Sequence, residues 1–169
     1  MRTTRIAAVS AVLCTGLAIG LAAHAQAVPG AKSVTPKEIQ FTQHPMLPKG
    51  AMTAVIAGDP ATGAAILRVK VPANTKILPH SHVVEHQLTV LSGTLYYAEG
   101  DKYDEKKLKA YPAGSFIAET AKQPHFSMTK TQTEFQVSAP GKSSFDYVDP
   151  KDAPAKKDEP ARKEAPAKK

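Results

Sequence analysis

Short apolar runs separated by turn residues dominate the middle of the chain, between Ile39 and Val148. No stretch there keeps a 3.6-residue apolar period, whereas short runs rich in β-branched or aromatic side chains recur. Each run ends at Gly, Pro, Asn, Asp or Ser, the residues that favour turns. The pattern predicts about nine strands, over residues 51–57, 64–71, 87–91, 94–98, 108–111, 115–119, 126–129, 133–137 and 145–148.

Short strands at near-regular spacing are typical of an all-β sandwich or barrel. The region of roughly 110 residues is the size of one such unit with one core. The charged stretch 101–109, DKYDEKKLK, is predicted to be a surface loop. Its Asp101 and Asp104 supply too few oxygens for a calcium loop.

The first 25 residues have the pattern of a secretory signal peptide. Arg2 and Arg5 precede an uncharged apolar stretch that ends at Ala22, and Ala23-His24-Ala25 supplies a small-x-small cleavage pattern. The alternative pattern, Ala25-Gln26-Ala27, would move the cleavage site by two residues. An uncleaved membrane anchor is the alternative, but the apolar run is shorter than the ~20 residues that span a bilayer. We therefore expect a periplasmic or secreted protein without a stable membrane anchor after cleavage. The one cysteine, Cys14, would be removed with the signal.

The last 21 residues, 149–169, alternate Lys, Asp, Glu, Ala and Pro and leave no apolar face. Such a composition cannot bury enough surface to offset its ordering entropy, so a disordered tail is predicted. The predicted organisation has four parts: a signal peptide over 1–25, an N-terminal extension over 26–38, a β domain over 39–148 and the tail over 149–169.

Composition excludes several functional classes. The chain of 169 residues has a formal charge of +7, spread as +2 over 1–25, +3 over 26–148 and +2 over 149–169. A central domain at +3, without a Lys/Arg stripe interleaved with aromatic residues, argues against binding to nucleic acid. A single cysteine excludes an internal disulfide framework and a cysteine-based zinc site.

Four histidines carry the candidate chemistry: His80, His82 and His86 in PHSHVVEHQLTVLSG, and His125 in KQPHFSM. Residues two apart on a strand face the same way, and His86 has the same parity as His80 and His82. Several imidazoles on an inward face would repel if protonated, whereas a metal ion would use them as neutral ligands. His125 would join them if the sheet curls into a barrel. His44, beside Pro45, is interpreted as incidental.

The central region resembles a cupin, a family of small β-barrels, over roughly 41–148. The first cupin motif corresponds to Asn74, His80-Ser81-His82, His86 and Gly93, and the second to Gly114, Thr120-Ala121-Lys122, His125 and Thr129. The resemblance implies a jelly-roll barrel of two packed antiparallel sheets. It also implies one divalent transition metal, namely iron, zinc, copper, nickel or manganese, and a small-molecule ligand in the barrel. Cupins often dimerise, so a homodimer is a further expectation.

Three departures from the cupin motifs change what the resemblance implies. Asn74 replaces a glycine, and Asn tolerates the left-handed backbone that a turn requires. Thr120 and Lys122 replace the proline and glycine of the second motif, so its turn is expected to differ. Histidine at position 86 replaces the glutamate ligand, which implies a site of four imidazoles without a carboxylate. Glu85 has the wrong strand parity to restore one unless a bulge intervenes, and the side of the strand on which Glu119 lies stays open.

Three functions remain compatible with this sequence. The first is a secreted metal-dependent enzyme, dioxygenase- or isomerase-like, in which His86 is either a fourth ligand or an acid/base group. The second is a binding module whose four histidines close the coordination sphere and prevent turnover. The third is a structural protein that uses the fold as a scaffold.

Overall fold

The computed structural model describes residues 33–154. Residues 1–32 and 155–169, which include the predicted signal peptide and most of the predicted tail, lie outside the described residues. The described part contains eleven strands and two single-turn 3-10 helices. The strands are β1 (Thr42–Gln43), β2 (Met52–Gly58), β3 (Ala65–Val71), β4 (Thr75–Ser81), β5 (His86–Ser92), β6 (Thr94–Glu99), β7 (Lys109–Pro112), β8 (Phe116–Glu119), β9 (His125–Thr129), β10 (Thr133–Ala139) and β11 (Asp146–Tyr147).

The strands form two antiparallel sheets, which confirms the all-β jelly-roll prediction. One sheet has the order β1-β2-β3-β10-β5-β8 and the other β11-β4-β9-β6-β7. Inward-facing apolar side chains from both sheets make one core, as alternation along each strand requires. The buried core comprises Leu47, Ala51, Val69, Val71, Ile77, Leu88, Val90, Leu95, Tyr97, Ile117, Phe135 and Val137.

All nine predicted strands are present, with ends that shift by a residue or two, and two further strands were not predicted. One is β1, which is only two residues long. The other is β4, whose apolar run is interrupted by Pro79 and continues into polar residues. The 101–109 stretch is a loop with a 3-10 turn over Glu105–Lys107. At the start of the predicted tail, Pro150–Asp152 form a second 3-10 turn capped by Asp149. No helix among residues 33–154 is long and apolar enough to cross a membrane.

Two turns show how the motif residues shape the backbone. Asn74 has φ of 54°, so it adopts the left-handed conformation expected of the residue that replaces glycine. Gly93, in the turn between β5 and β6, has φ of 74°. A side chain there would meet the Gln132 carbonyl oxygen and the Thr133 hydroxyl, each 2.6 Å from the added carbon. Position 93 therefore requires glycine for both space and conformation.

Strand register brings the motif histidines to one end of the barrel. His80 pairs with His125 where β4 meets β9 in the five-stranded sheet. His86 pairs with Glu119 where β5 meets β8 in the six-stranded sheet. The connection from β4 to β5 crosses between the sheets and carries His82. Residues from two sheets therefore converge although no single strand holds them all.

Candidate metal centre

Four imidazole rings lie together at this end of the barrel, and all four side chains are buried. The His80 ring centroid is 4.3 Å from that of His125 and 5.1 Å from that of His82. The rings of His82 and His86 stack at 3.9 Å. The predicted cluster is therefore formed. The prediction that His86 continues the strand face of His80 and His82 was wrong, however. Strand β4 ends at Ser81, and His86 begins a strand of the other sheet.

Backbone carbonyls orient three of the rings. The Nδ1 atoms of His80, His82 and His125 lie 2.8, 2.6 and 3.0 Å from the carbonyl oxygens of Leu78, Ser144 and Gln123. A carbonyl oxygen only accepts, so each Nδ1 carries the proton and donates it. Each Nε2 of the neutral ring is then an unprotonated lone pair. This second contact is the usual way in which a metal-binding histidine is held.

Glu119 supplies the carboxylate that the cupin motif lacks at position 86. Its side chain is 6% exposed, and its carboxylate oxygens approach three rings. They lie 3.4 Å from Nε2 of His125, 3.5 Å from Nε2 of His82 and 3.7 Å from Nδ1 of His86. The expectation of a site without a carboxylate is therefore wrong. Glu85 is exposed and bonds to Gln87, in agreement with its strand parity.

Burial disfavours every charged form in this cluster. Desolvation raises the pKa of Glu119 to about 8. Desolvation, followed by repulsion from neighbouring rings, lowers the pKa of His86 to about 3. Desolvation also lowers the pKa of His125 to about 4 and that of His82, and it holds the pKa of His80 well below its usual range. Near neutral pH the metal-free cluster thus holds neutral imidazoles beside a carboxyl that retains its proton.

The donor set fits a divalent cation. One ligand atom from each of His80, His82 and His125 lies within 4.8 Å of the other two, and the same holds for His82, His86 and Glu119. Nε2 of His125 is buried and has no hydrogen-bond partner among the described residues. A buried, unpaired lone pair is costly, and a cation would satisfy it together with its neighbours. Nitrogen donors with one carboxylate suit zinc, iron, nickel, copper or manganese.

One segment after β10 contacts three of the rings, and sequence reasoning missed it. The Ser143 hydroxyl lies 2.6 Å from Nε2 of His86, and the Ser144 carbonyl accepts from His82. Phe145 stacks on His80 with centroids 4.0 Å apart and an interplanar angle of 10°. We call Ser143–Phe145 the strap. Its small polar residues give no periodic signal, because they act through contacts about 60 positions away.

His86 differs from the other three histidines in its hydrogen-bond partner, which is a hydroxyl and not a backbone carbonyl. A carbonyl forces the tautomer of His80, His82 and His125, whereas the Ser143 hydroxyl can either donate to His86 or accept from it. If Ser143 accepts, Nδ1 of His86 is a free lone pair that faces Glu119. If Ser143 donates, Nδ1 carries a proton toward the same carboxylate. Both roles considered for His86, ligand and acid/base, are therefore compatible with its contacts.

A cavity of about 400 Å³ opens from the cluster into the barrel. His80, His82, His86 and Glu119 line one part of it, and mainly apolar side chains line the rest. This size is within the range of pockets that hold small organic molecules. The side chain of Phe135, on β10, also lines the cavity. Phe116 points outward and is 59% exposed.

His44 is not incidental, because it also lines the cavity. Its Nδ1 accepts a hydrogen bond from the backbone N–H of Met46 at 3.2 Å. The proton of the neutral ring must then be on Nε2, so His44 offers a donor. Its ring centroid is 6.3 Å from that of Phe145. A histidine alone before Pro45 carries no sequence signal for this position.

Comparisons with known proteins agree with this architecture. The model of the ChrR cupin-like domain family matches residues 30–143. No curated protein sequence matches the chain significantly. Among solved structures, the polyketide cyclase RemF from Streptomyces resistomycificus has a TM-score of 0.59 and 21% identity, over 70% of this chain and 86% of that one.

Two further solved structures share the fold at lower identity. The acetylacetone dioxygenase from Acinetobacter johnsonii has a TM-score of 0.55 and 12% identity, over 70% of this chain and 78% of that one. An RmlC-like cupin from Shewanella frigidimarina has a TM-score of 0.51 and 11% identity, over 63% and 88%. Together with the family match and the two-sheet barrel, these likenesses place the chain in the cupin superfamily, as a member of the ChrR cupin-like family.

Proposed function

We propose that this chain is a secreted, metal-dependent enzyme that acts on a small organic molecule bound in the barrel. In this proposal His80, His82 and His125 hold one divalent transition metal together with Glu119. His86 lies beside them as a further ligand or as an acid/base group. The barrel cavity receives the molecule.

One observation carries the proposal: three Nε2 lone pairs converge in a buried site, each fixed by an Nδ1–H bond to a backbone carbonyl. Structural histidines usually satisfy both ring nitrogens, but Nε2 of His125 has no hydrogen-bond partner among residues 33–154. Glu119, with a carboxylate oxygen 3.4 Å from Nε2 of His125, would supply negative charge to a bound cation on losing its proton. The arrangement is therefore better explained by metal binding than by packing.

The residues of the chain have separable roles in this proposal. A bound divalent cation supplies Lewis acidity, which polarises an oxygen of the molecule and favours loss of a neighbouring proton. Glu119 balances part of the charge and, in the absence of metal, retains its proton beside Nε2 of His125. His86 can accept a proton at Nδ1 when the Ser143 hydroxyl accepts from its Nε2. The apolar walls exclude water from the site.

The reaction class that we propose is dioxygenase- or isomerase-like. Support comes from the site: neutral nitrogen donors with one carboxylate, next to a cavity large enough for a small molecule. The polyketide cyclase and the acetylacetone dioxygenase show that barrels of this shape occur in enzymes with small organic substrates. At 21% and 12% identity they support the fold alone, so the reaction assigned here rests on the centre.

A non-catalytic metal-binding module is the second candidate, and the position of His86 favours it. Nδ1 of His86 faces the same Glu119 oxygen as His82, so both nitrogens and the carboxylate could share one ion. With Glu119, four nitrogens around one metal would make five ligands, so that at most one position of an octahedral site would stay open for a substrate. X-ray absorption of the zinc-loaded protein and of His86→Ala distinguishes the two. A fall in the number of nitrogen ligands in the variant favours the closed site, and an unchanged number favours the enzyme.

The metal proposal is tested by elemental analysis of the purified chain. We expect about one divalent transition metal per chain, and loss of most of it in His80→Ala and in His125→Ala. The matched control is His44→Ala, which removes a histidine that lines the cavity but lies outside the cluster. Metal content that is unchanged in both cluster variants would contradict the ligand assignment.

Secretion is tested separately, because it depends on residues 1–25. The full chain expressed in a bacterium should yield a periplasmic product whose mass corresponds to cleavage after Ala25. Alanine at 25 replaced by a bulky residue, as in Ala25→Phe, should block that cleavage or move it. A full-length product retained in the cytoplasm would contradict this part of the proposal.

A further inference from the structure

Ser127 is a buried polar side chain that the metal centre does not use. It lies on β9, two residues beyond His125, so both side chains face inward. It is 5% exposed, and it lines the cavity. The inward side chains on either side of it bond to carbonyls, His125 to Gln123 and Thr129 to Pro72. The Ser127 hydroxyl has no such partner among residues 33–154.

The surroundings of Ser127 are apolar. Its neighbours in the ladder are Ile77 on β4 and Tyr97 on β6, both buried. Because Ser127 lines the cavity, a ligand that displaces water from its hydroxyl must supply a hydrogen bond in return. Ser127 is therefore one of the few hydrogen-bonding groups, with His44 and Thr53, that the otherwise apolar cavity walls present, the usual composition of a small-molecule site.

The charges of the residues that line the cavity limit the charge that a ligand can carry. Among the described residues that line the cavity none is Lys or Arg, so no side chain there would neutralise a ligand carboxylate or phosphate away from the metal. The acidic residue in the lining, Glu119, belongs to the centre and would not pair with a distant cation. A ligand with a charge at the Ser127 end would be desolvated without compensation.

We infer that Ser127 is a specificity-determining residue, which hydrogen-bonds an uncharged polar group of the ligand one strand repeat along β9 from the metal centre. The inference rests on the proposed function for the orientation of the ligand. Two residues along a strand span about 6–7 Å. The ligand is therefore a largely apolar, uncharged molecule with one oxygen at the centre and a second polar group at roughly this distance.

The test uses four phenols that differ in the para substituent: methyl, hydroxymethyl, carboxylate and aminomethyl. Dissociation constants are measured by calorimetry for the wild-type chain, Ser127→Ala and Ser92→Ala. The last is the matched control, because Ser92 is an exposed serine outside the cavity lining. Metal content is determined on every preparation.

We expect the wild type to bind 4-methylphenol and 4-(hydroxymethyl)phenol, and to bind both charged analogues at least about tenfold more weakly. Ser127→Ala should weaken binding of 4-(hydroxymethyl)phenol by about three- to tenfold, the usual worth of one hydrogen bond. It should leave 4-methylphenol within about twofold, and Ser92→Ala should leave binding of both probes unchanged.

The inference is overturned if Ser127→Ala affects both probes equally, if Ser92→Ala reproduces its effect, or if the wild type binds neither uncharged phenol. Because metal content is measured independently, the two proposals can fail separately. Selective weakening in a chain that binds no metal supports the role of Ser127 and contradicts the metal proposal. A metal-replete chain without selective weakening contradicts the role of Ser127 alone.

Discussion

His86 and Glu119 stand directly opposite each other where β5 pairs with β8, with 3.7 Å between Nδ1 of His86 and Oε2 of Glu119. A cupin motif that places histidine at the usual glutamate position therefore regains its carboxylate from the neighbouring strand. The cluster thus keeps one acidic group among its imidazoles. That group comes from position 119 instead of position 86, 33 residues further along the sequence.

Replacement of Glu119 by glutamine should separate metal affinity from stability. Glu119→Gln removes the negative charge, so we expect metal affinity to fall at least about tenfold. The metal-free variant should not be less stable at pH 8, because glutamine replaces a carboxyl whose ionisation is unfavourable there. Competition with a chromophoric chelator measures the metal affinity, and thermal melts measure the stability. Glu85→Gln, at an exposed site, is the control, and equal metal affinity of Glu119→Gln and wild type would contradict the assignment.

The stability of the metal-free protein should pass through a maximum near pH 6.5. Below 6.5 the unfolded chain binds protons that folded His86 and His125 exclude, with pKa values of about 3 and 4, so stability falls as the pH falls. Between 4.5 and 8 folded Glu119 retains a proton that the unfolded chain releases, so its contribution falls as the pH rises. Below pH 6.5 the contribution of at least two histidines to the pH dependence of stability exceeds that of the one carboxyl. Above pH 6.5 only Glu119 contributes.

Melting temperatures from pH 4 to 9 in the presence of a chelator check this pH dependence. The fall in melting temperature between pH 6.5 and 8 should be absent in Glu119→Gln. Added zinc should reverse this fall in the wild type. A profile that rises steadily through pH 8 in the chelated wild type would contradict the buried, protonated carboxyl.

The strap should contribute to stability through Ser143. Ser143→Ala leaves Nε2 of buried His86 without its 2.6 Å partner, so we expect the free energy of unfolding to fall by about 1 kcal/mol. Metal affinity should fall less than in Glu119→Gln, because Ser143 only positions a ring. Ser92→Ala, an exposed serine at the end of β5, is the control. Urea unfolding gives the comparison, and an unchanged midpoint for Ser143→Ala would mean that the contact contributes nothing.

Lys122 and Asn74 offer a matched test of backbone conformation. Both have positive φ, 62° and 54°, and both replace a glycine of the cupin motifs. Lysine is disfavoured in this region, whereas asparagine tolerates it. Lys122→Gly should therefore raise the free energy of unfolding by up to about 1 kcal/mol, and Asn74→Gly should change it little.

The Lys122 backbone also joins the two motifs, because its N–H donates to the carbonyl of His82 at 2.7 Å. Lys122→Pro removes that donor and cannot adopt positive φ, so it should destabilise the fold strongly. Denaturant titrations of the three variants measure these effects. Destabilisation by Lys122→Gly equal to that by Lys122→Pro would contradict the conformational argument.

Sequence alone determined nine of the eleven strands, the barrel and the histidine set, because these depend on local alternation, turn residues and motif spacing. His80, His82 and His125 could be selected since imidazole is unusual on an inward apolar face. Only the tertiary structure decided that Glu119 enters the centre, that the strap holds His82 and His86, and that Ser127 and His44 line the cavity. Each of these depends on the register between strands distant in the chain, whereas a local pattern reveals only which side chains share a face.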